Sequence, residues 1–169
     1  MKPSKKALKD SLLFSDAYLS GSSSSLHKDF DPKYILNLDD LYVQAFVTID
    51  RHEIVGLQNK DDDVETKLFR SHFEFGARWL SDVEEDENAV SLADSANKED
   101  KRIVRATIEA NFIVEYVMLQ EFDEKTLIKY AHDEIPIEIW PFWREFLTSQ
   151  VSRMHLTGVK MPVRKKVST

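Results

Sequence analysis

The chain has no cysteine. That excludes disulfides, thiolate metal sites and a thiol nucleophile, and it fits a reducing compartment. Glycine is scarce, with four in 169 residues. A phosphate-cradling loop is hard to place with so few, and neither a P-loop, a dinucleotide fingerprint nor G-x-S-x-G occurs. No apolar run approaches the roughly 20 residues that span a membrane, so membrane insertion is not expected. The N-terminal stretch MKPSKKALKDSLLFSDAYL meets Asp10 and Asp16 early and lacks a clean apolar core. It is therefore not read as a signal peptide, and the expected location is the cytoplasm. The five histidines (His27, His52, His72, His132, His155) form neither an HxH nor an HxxxH pair. No metal, cofactor or catalytic residue is assigned on this pattern, and the chain is not read as an enzyme.

What is present is ordinary globular material, 42% hydrophobic and 31% charged. The length suits one domain spanning residues 1–169. A chain near this size buries about 70% of its unfolded surface, so it needs no covalent staple. The net charge of −7 disfavours broad nucleic-acid binding and suits solubility or cationic partners.

Hydrophobic periodicity gives the elements. Residues 1–30 read as a flexible N-terminus. Phe14, Tyr18 and Leu19 suggest a short strand, and Ser20–Ser25 a connector of small polar residues. Leu41 to Ile49 alternates strictly, which puts Leu41, Val43, Ala45, Val47 and Ile49 on the core side. Tyr42 and Phe46 then face the other way. Asn59 to Asp63 is a charged turn. Phe69, Ser71, Phe73, Phe75, Ala77 and Trp79 form the inner side of a second strand, opposite Arg70, His72, Glu74 and Arg78. Residues 81–101 carry eight acids and two lysines and read as a solvated, mobile loop.

Ile103 to Leu119 is rich in β-branched residues and predicts a long, bent strand with Val104, Ala106, Ile108, Ala110, Phe112, Val114, Tyr116 and Met118 on one side. Asp123 is placed to cap a short helix through Glu134, with Leu127, Tyr130 and Ala131 inward and Pro136 ending it. The segment IWPFWREF (139–146) then crowds four rings around Pro141. Proline at the first helical position predicts a second helix from Pro141 to about His155, stopped near Gly158. Its inner stripe is Trp143, Leu147, Val151 and Met154, widened by Phe142 and Phe146. The class is α+β: a four-stranded antiparallel sheet with a short and a long C-terminal helix. Tyr42, Phe46 and the broad apolar arc of the last helix exceed what one covered sheet face needs. Such a surplus marks oligomerisation or the binding of apolar segments.

Asn111-Phe-Ile-Val-Glu-Tyr116, Pro136, Trp140-Pro-Phe-Trp-Arg-Glu-Phe146, Ser149-Gln-Val-Ser-Arg153 and Lys160-Met-Pro162 together resemble the SecB-like chaperone family. The motifs cover residues 108–163, and over 1–107 the likeness is one of strand order. The resemblance implies dimers or tetramers that hold unfolded polypeptide in apolar grooves without nucleotide. It also implies two roles, protein export in partnership with SecA or a dedicated service to the antitoxin of a toxin–antitoxin system. A non-chaperone oligomeric scaffold is the remaining alternative. The candidate client-binding residues are Tyr42, Phe46, Trp140, Phe142 and Trp143. The candidate oligomer interface is Phe146, Leu147, Val151 and Met154.

Overall fold

The computed structural model describes residues 5–35, 37–58, 65–82 and 102–156. The charged turn at 59–63, most of the acidic segment 81–101, Gly158 and the tail from 157 onward lie outside them. A short helix α1 (Lys5–Ser11) leads directly into strand β1 (Leu12–Leu26). A single 3-10 turn (Leu38–Asp40) precedes β2 (Tyr42–Gln58), followed by β3 (Glu65–Asp82) and β4 (Arg102–Met118). Two helices follow β4, α2 (Glu124–Asp133) and α3 (Ile135–Arg153). The four strands form one antiparallel sheet in the order β1-β4-β3-β2, so β1 and β2 are its edges.

Alternation decides which side of the sheet is covered. Phe69, Ser71, Phe73, Phe75, Ala77 and Trp79 of β3 are all buried, as are Ala106, Ile108, Ala110, Phe112, Val114 and Tyr116 of β4. Against them α3 sets Ile135, Ile139, Trp143, Leu147 and Val151, a stripe at successive four-residue steps. Burial of this one sheet face against one helix stripe is the main stabilising term, at roughly 25 cal/mol per Å² of apolar surface. Among the described residues no helix lies on the opposite face. Its polar side chains pair with one another: Arg70 reaches Glu115 at 2.6 Å, and Glu53 accepts from His72 Nε2 at 2.8 Å.

Several expectations are corrected. The stretch Ser20–Ser25 is not a flexible connector but part of β1. Its residues pair with β4 from Asn111 to Thr107, and the Ser20 hydroxyl donates to the Asn111 carbonyl at 3.1 Å. Small polar side chains cost little on an edge strand whose central neighbour carries the packing. Pro136 does not separate the helices. It sits in the first turn of α3, where a missing N–H is harmless, and Glu134 alone joins α2 to α3. Pro141 therefore lies inside α3 and withholds the N–H that the Ile137 carbonyl would accept. Val104 is 41% exposed, because a register shift at Trp79/Leu80 turns it to the uncovered side. Asp123 caps α2 as expected, accepting from the Thr126 N–H at 3.3 Å and the Thr126 hydroxyl at 2.6 Å.

Candidate functional site

The five candidate client-binding aromatics do not converge. Tyr42 and Phe46 stand on the helix-free face, at the β2 edge. Phe46 lies across Gly76 of β3, where any Cβ would collide with its ring. The Arg78 guanidinium sits over Phe46, 5.0 Å from the ring centre, and Arg102 over Tyr42 at 4.5 Å. Tyr42 remains 49% exposed.

Trp140, Phe142 and Trp143 belong to the helical layer. Trp143 is only 1% exposed; it stacks on Phe75 at 5.6 Å and on Phe146 at 6.1 Å. It is core, and no client reaches it in this conformation. Phe142 is 38% exposed and meets Phe14 of β1 at 6.5 Å, on the far edge of the sheet from Tyr42 and Phe46. Trp140 is partly buried against the core. The candidate interface stripe divides in the same way. Leu147 and Val151 are buried against the sheet within the chain and cannot face another subunit, whereas Phe146 and Met154 are partly buried.

Helical spacing explains both outcomes. Positions 139, 143, 147 and 151 share one side of α3, so the sheet claims them; 142 is turned about a quarter of the way round.

Among the described residues two surfaces stand out as apolar and accessible. The first runs along β2. Its helix-side residues Val43, Val47 and Ile49 are only partly buried, Ala45 is exposed and Ile54 is 52% exposed, since the helices cover mainly the sheet centre and α2 meets this edge at His52. The second lies on the β1 side, where Phe14, Leu19, Leu26, Ile137 and Phe142 are exposed.

Burial raises the Tyr116 hydroxyl far above its usual value, helped by its hydrogen bond to Glu138, and burial also pushes Tyr130 up to about 12. The most perturbed imidazole is His52. Burial is the main cause of its lowered pKa, with His132 and His72 adding to it. It stacks on Phe69 at 5.7 Å, faces His132 of α2 at 6.4 Å and shares a 3.0 Å hydrogen bond with Ser71. Among the described residues no three acidic or imidazole side chains are grouped to hold a metal, and no helix is long and apolar enough to cross a membrane.

The arginine covers on Tyr42 and Phe46 escaped sequence reasoning. Arg78 was legible as an outward residue, but only the strand pairing places it beside Phe46.

No family model and no curated protein matches this chain in sequence. The structure does find a neighbour. A SecB-like chaperone from Mycobacterium tuberculosis, solved in complex with a ChAD peptide from the HigA1 antitoxin, superposes with a TM-score of 0.55. The match covers 95% of this chain and 96% of that one, at 13% sequence identity. The fold is SecB-like. The four-stranded antiparallel sheet with C-terminal helices matches that neighbour. At this identity the likeness is one of architecture, and the side chains at the two apolar surfaces are this chain's own.

Proposed function

We propose that this chain is an ATP-independent holding chaperone. It captures unfolded or aggregation-prone polypeptide in extended form. One observation carries the reading: among the described residues nothing pairs with the outer edge of β2, and the strand has accessible apolar side chains on both of its sides. An extended client adds to the edge through backbone hydrogen bonds, and its alternate side chains meet Val43, Ala45 and Val47 on one side and Tyr42 and Phe46 on the other. Many weak apolar contacts, offset by the ordering of the client, give modest affinity and broad selectivity. No chemical step is required, and Arg78 and Arg102 serve binding.

The SecB-like fold supports the same reading, and the neighbour's bound antitoxin peptide favours a dedicated antitoxin partner over an export role with SecA. A cytoplasmic location goes with either role. A homodimer or homotetramer accompanies the proposal. The apolar strip of Phe14, Leu19, Leu26, Ile137 and Phe142 is the surface a second subunit would cover, joined by Phe146 and Met154.

The test is suppression of aggregation of a chemically denatured, unrelated protein. The wild-type chain should suppress light scattering at stoichiometric ratios without nucleotide. Tyr42→Ser with Phe46→Ser should weaken that suppression while the far-UV spectrum stays unchanged. Undiminished suppression by the folded double variant removes Tyr42 and Phe46 from the site. A wild-type chain that suppresses nothing leaves the scaffold alternative standing.

A further inference from the structure

We infer that the β2 edge selects extended peptides carrying acidic side chains four residues apart on one side and apolar side chains on the other. This rests on the client-binding reading above and names the clients it prefers.

The first observation is the length of regular edge. β2 alternates without interruption from Tyr42 to Ile49, and its register shifts between Ile49 and Arg51. Beyond that bulge the sides exchange, and His52 takes the helix side against His132. A peptide strand keeps one alternation only over the segment before the bulge.

The second is where the positive charge sits. Arg102 comes from β4 and Arg78 from β3, yet both heads lie over rings of β2. Each arm crosses toward the edge strand and rests on an aromatic face. A guanidinium held over a ring has already lost part of its freedom, so less is lost when it binds an anion.

The third is that these donors are under-used. A guanidinium carries five N–H groups. Arg70 spends several of them, on Glu115 at 2.6 and 2.7 Å and on Glu53 at 3.4 Å. Among the described residues Arg78 has a single long contact, to Glu109 at 3.5 Å, and Arg102 a single ion pair, to Asp82 at 3.6 Å. Both side chains are close to half exposed, at 44% and 46%. Neither acid engages its arginine in the fork geometry that makes such pairs strong. An incoming carboxylate competes well.

The spacing then fixes the ligand. Tyr42 and Phe46 are four residues apart, about 13 Å along a strand. Side chains four apart on an added strand share one side and the same separation. Acids at those two positions meet Arg102 and Arg78. The odd-numbered neighbours of β2 on the other side, Val43, Ala45 and Val47, ask for apolar residues at the alternate positions. The chain's net charge of −7 predicts the opposite preference, for cationic peptides, so the two explanations separate cleanly.

The experiment uses the full chain and short fluorescent peptides with one constant apolar side. The other side carries two Glu, two Gln or two Lys four residues apart, and binding is read by anisotropy at low ionic strength. The expected order is Glu, then Gln, then Lys, with about tenfold between the first two for a pair of exposed contacts. Moving one Glu by a single position puts it on the apolar side and should abolish the gain. Arg78→Glu with Arg102→Glu should invert the order, and Arg144→Glu on α3 should not. Equal binding of Glu and Gln peptides, or a wild-type preference for Lys, overturns the inference. So does a shift of oligomeric mass in the double reversal with no change in peptide order, which would make the patch a contact between copies. If no peptide binds while denatured protein is still held, the inference falls and the holding reading stands. If neither is held, both fall. Should the double reversal fail to fold, the peptide order on the wild type decides.

Discussion

Trp143→Ala separates the two roles packed into IWPFWREF. Trp143 is 1% exposed and lies between Phe75 and Phe146, at 5.6 and 6.1 Å with near-parallel rings. A buried tryptophan removes about 150–250 Å² from water, which at about 25 cal/mol per Å² is roughly 4–6 kcal/mol. Two ring contacts add about 0.5–1.5 kcal/mol each, and relaxation around the cavity returns part of the total. The expected loss is about 4 kcal/mol. Trp140→Ala, at a partly buried ring on the same helix, should cost about 1 kcal/mol. The measurement is urea unfolding followed by far-UV circular dichroism at one fixed protein concentration, because assembly would make stability concentration-dependent. The slope should hold while the midpoint drops. A loss below about 1 kcal/mol for Trp143→Ala, or a larger loss for Trp140→Ala, would refute the packing described here. Such a result would return Trp143 to the pool of exposed binding rings.

Two further perturbations test other parts of the account. His52 has a folded pKa below the ordinary value, chiefly through burial. The unfolded chain therefore binds more protons there, and stability should be greatest above about pH 6.5 and fall as the pH drops from there through the lowered folded value. Urea midpoints at pH 7.5 and 5.5 should differ more in the wild type than in His52→Asn; an equal difference would remove His52 as the source. Asp123→Ala deletes the acceptor of the Thr126 N–H and hydroxyl at the start of α2. It should cost about 1 kcal/mol in the same assay, and no measurable change would show that the cap is dispensable.

The centre of the fold was readable because its periodicity was unambiguous. In β3, from Phe69 to Trp79, and in β4, from Ala106 to Tyr116, the sequence alternates, and the residues that alternation selects are buried; Gly76, roofed by Phe46 on the other side, is buried as well. The edges were harder. Ser20–Ser25 has no apolar signal, and its strand conformation is imposed by pairing with β4. Proline misled at the helix boundary: two prolines lie five residues apart, both are compatible with a helix start, and local sequence does not say that Pro136 takes that place. The candidate site was legible residue by residue and not as a set. Period two correctly put Tyr42 and Phe46 on one side of their strand. Nothing local could show that α3 brings Phe142 to β1, at the opposite edge. Nor could it show that arginines from two other strands rest on Tyr42 and Phe46.

The central claim is that clients are held along the β2 edge. Amide hydrogen exchange of the chain, alone and with an unrelated denatured protein, tests it most directly. Among the described residues, outward-facing amides between Tyr42 and Ile49 have no partner strand on that side. Client addition should slow their exchange and leave the centre of β4 unchanged. Protection confined to the start of α3 around Trp140 and Phe142, with none in β2, would contradict the account.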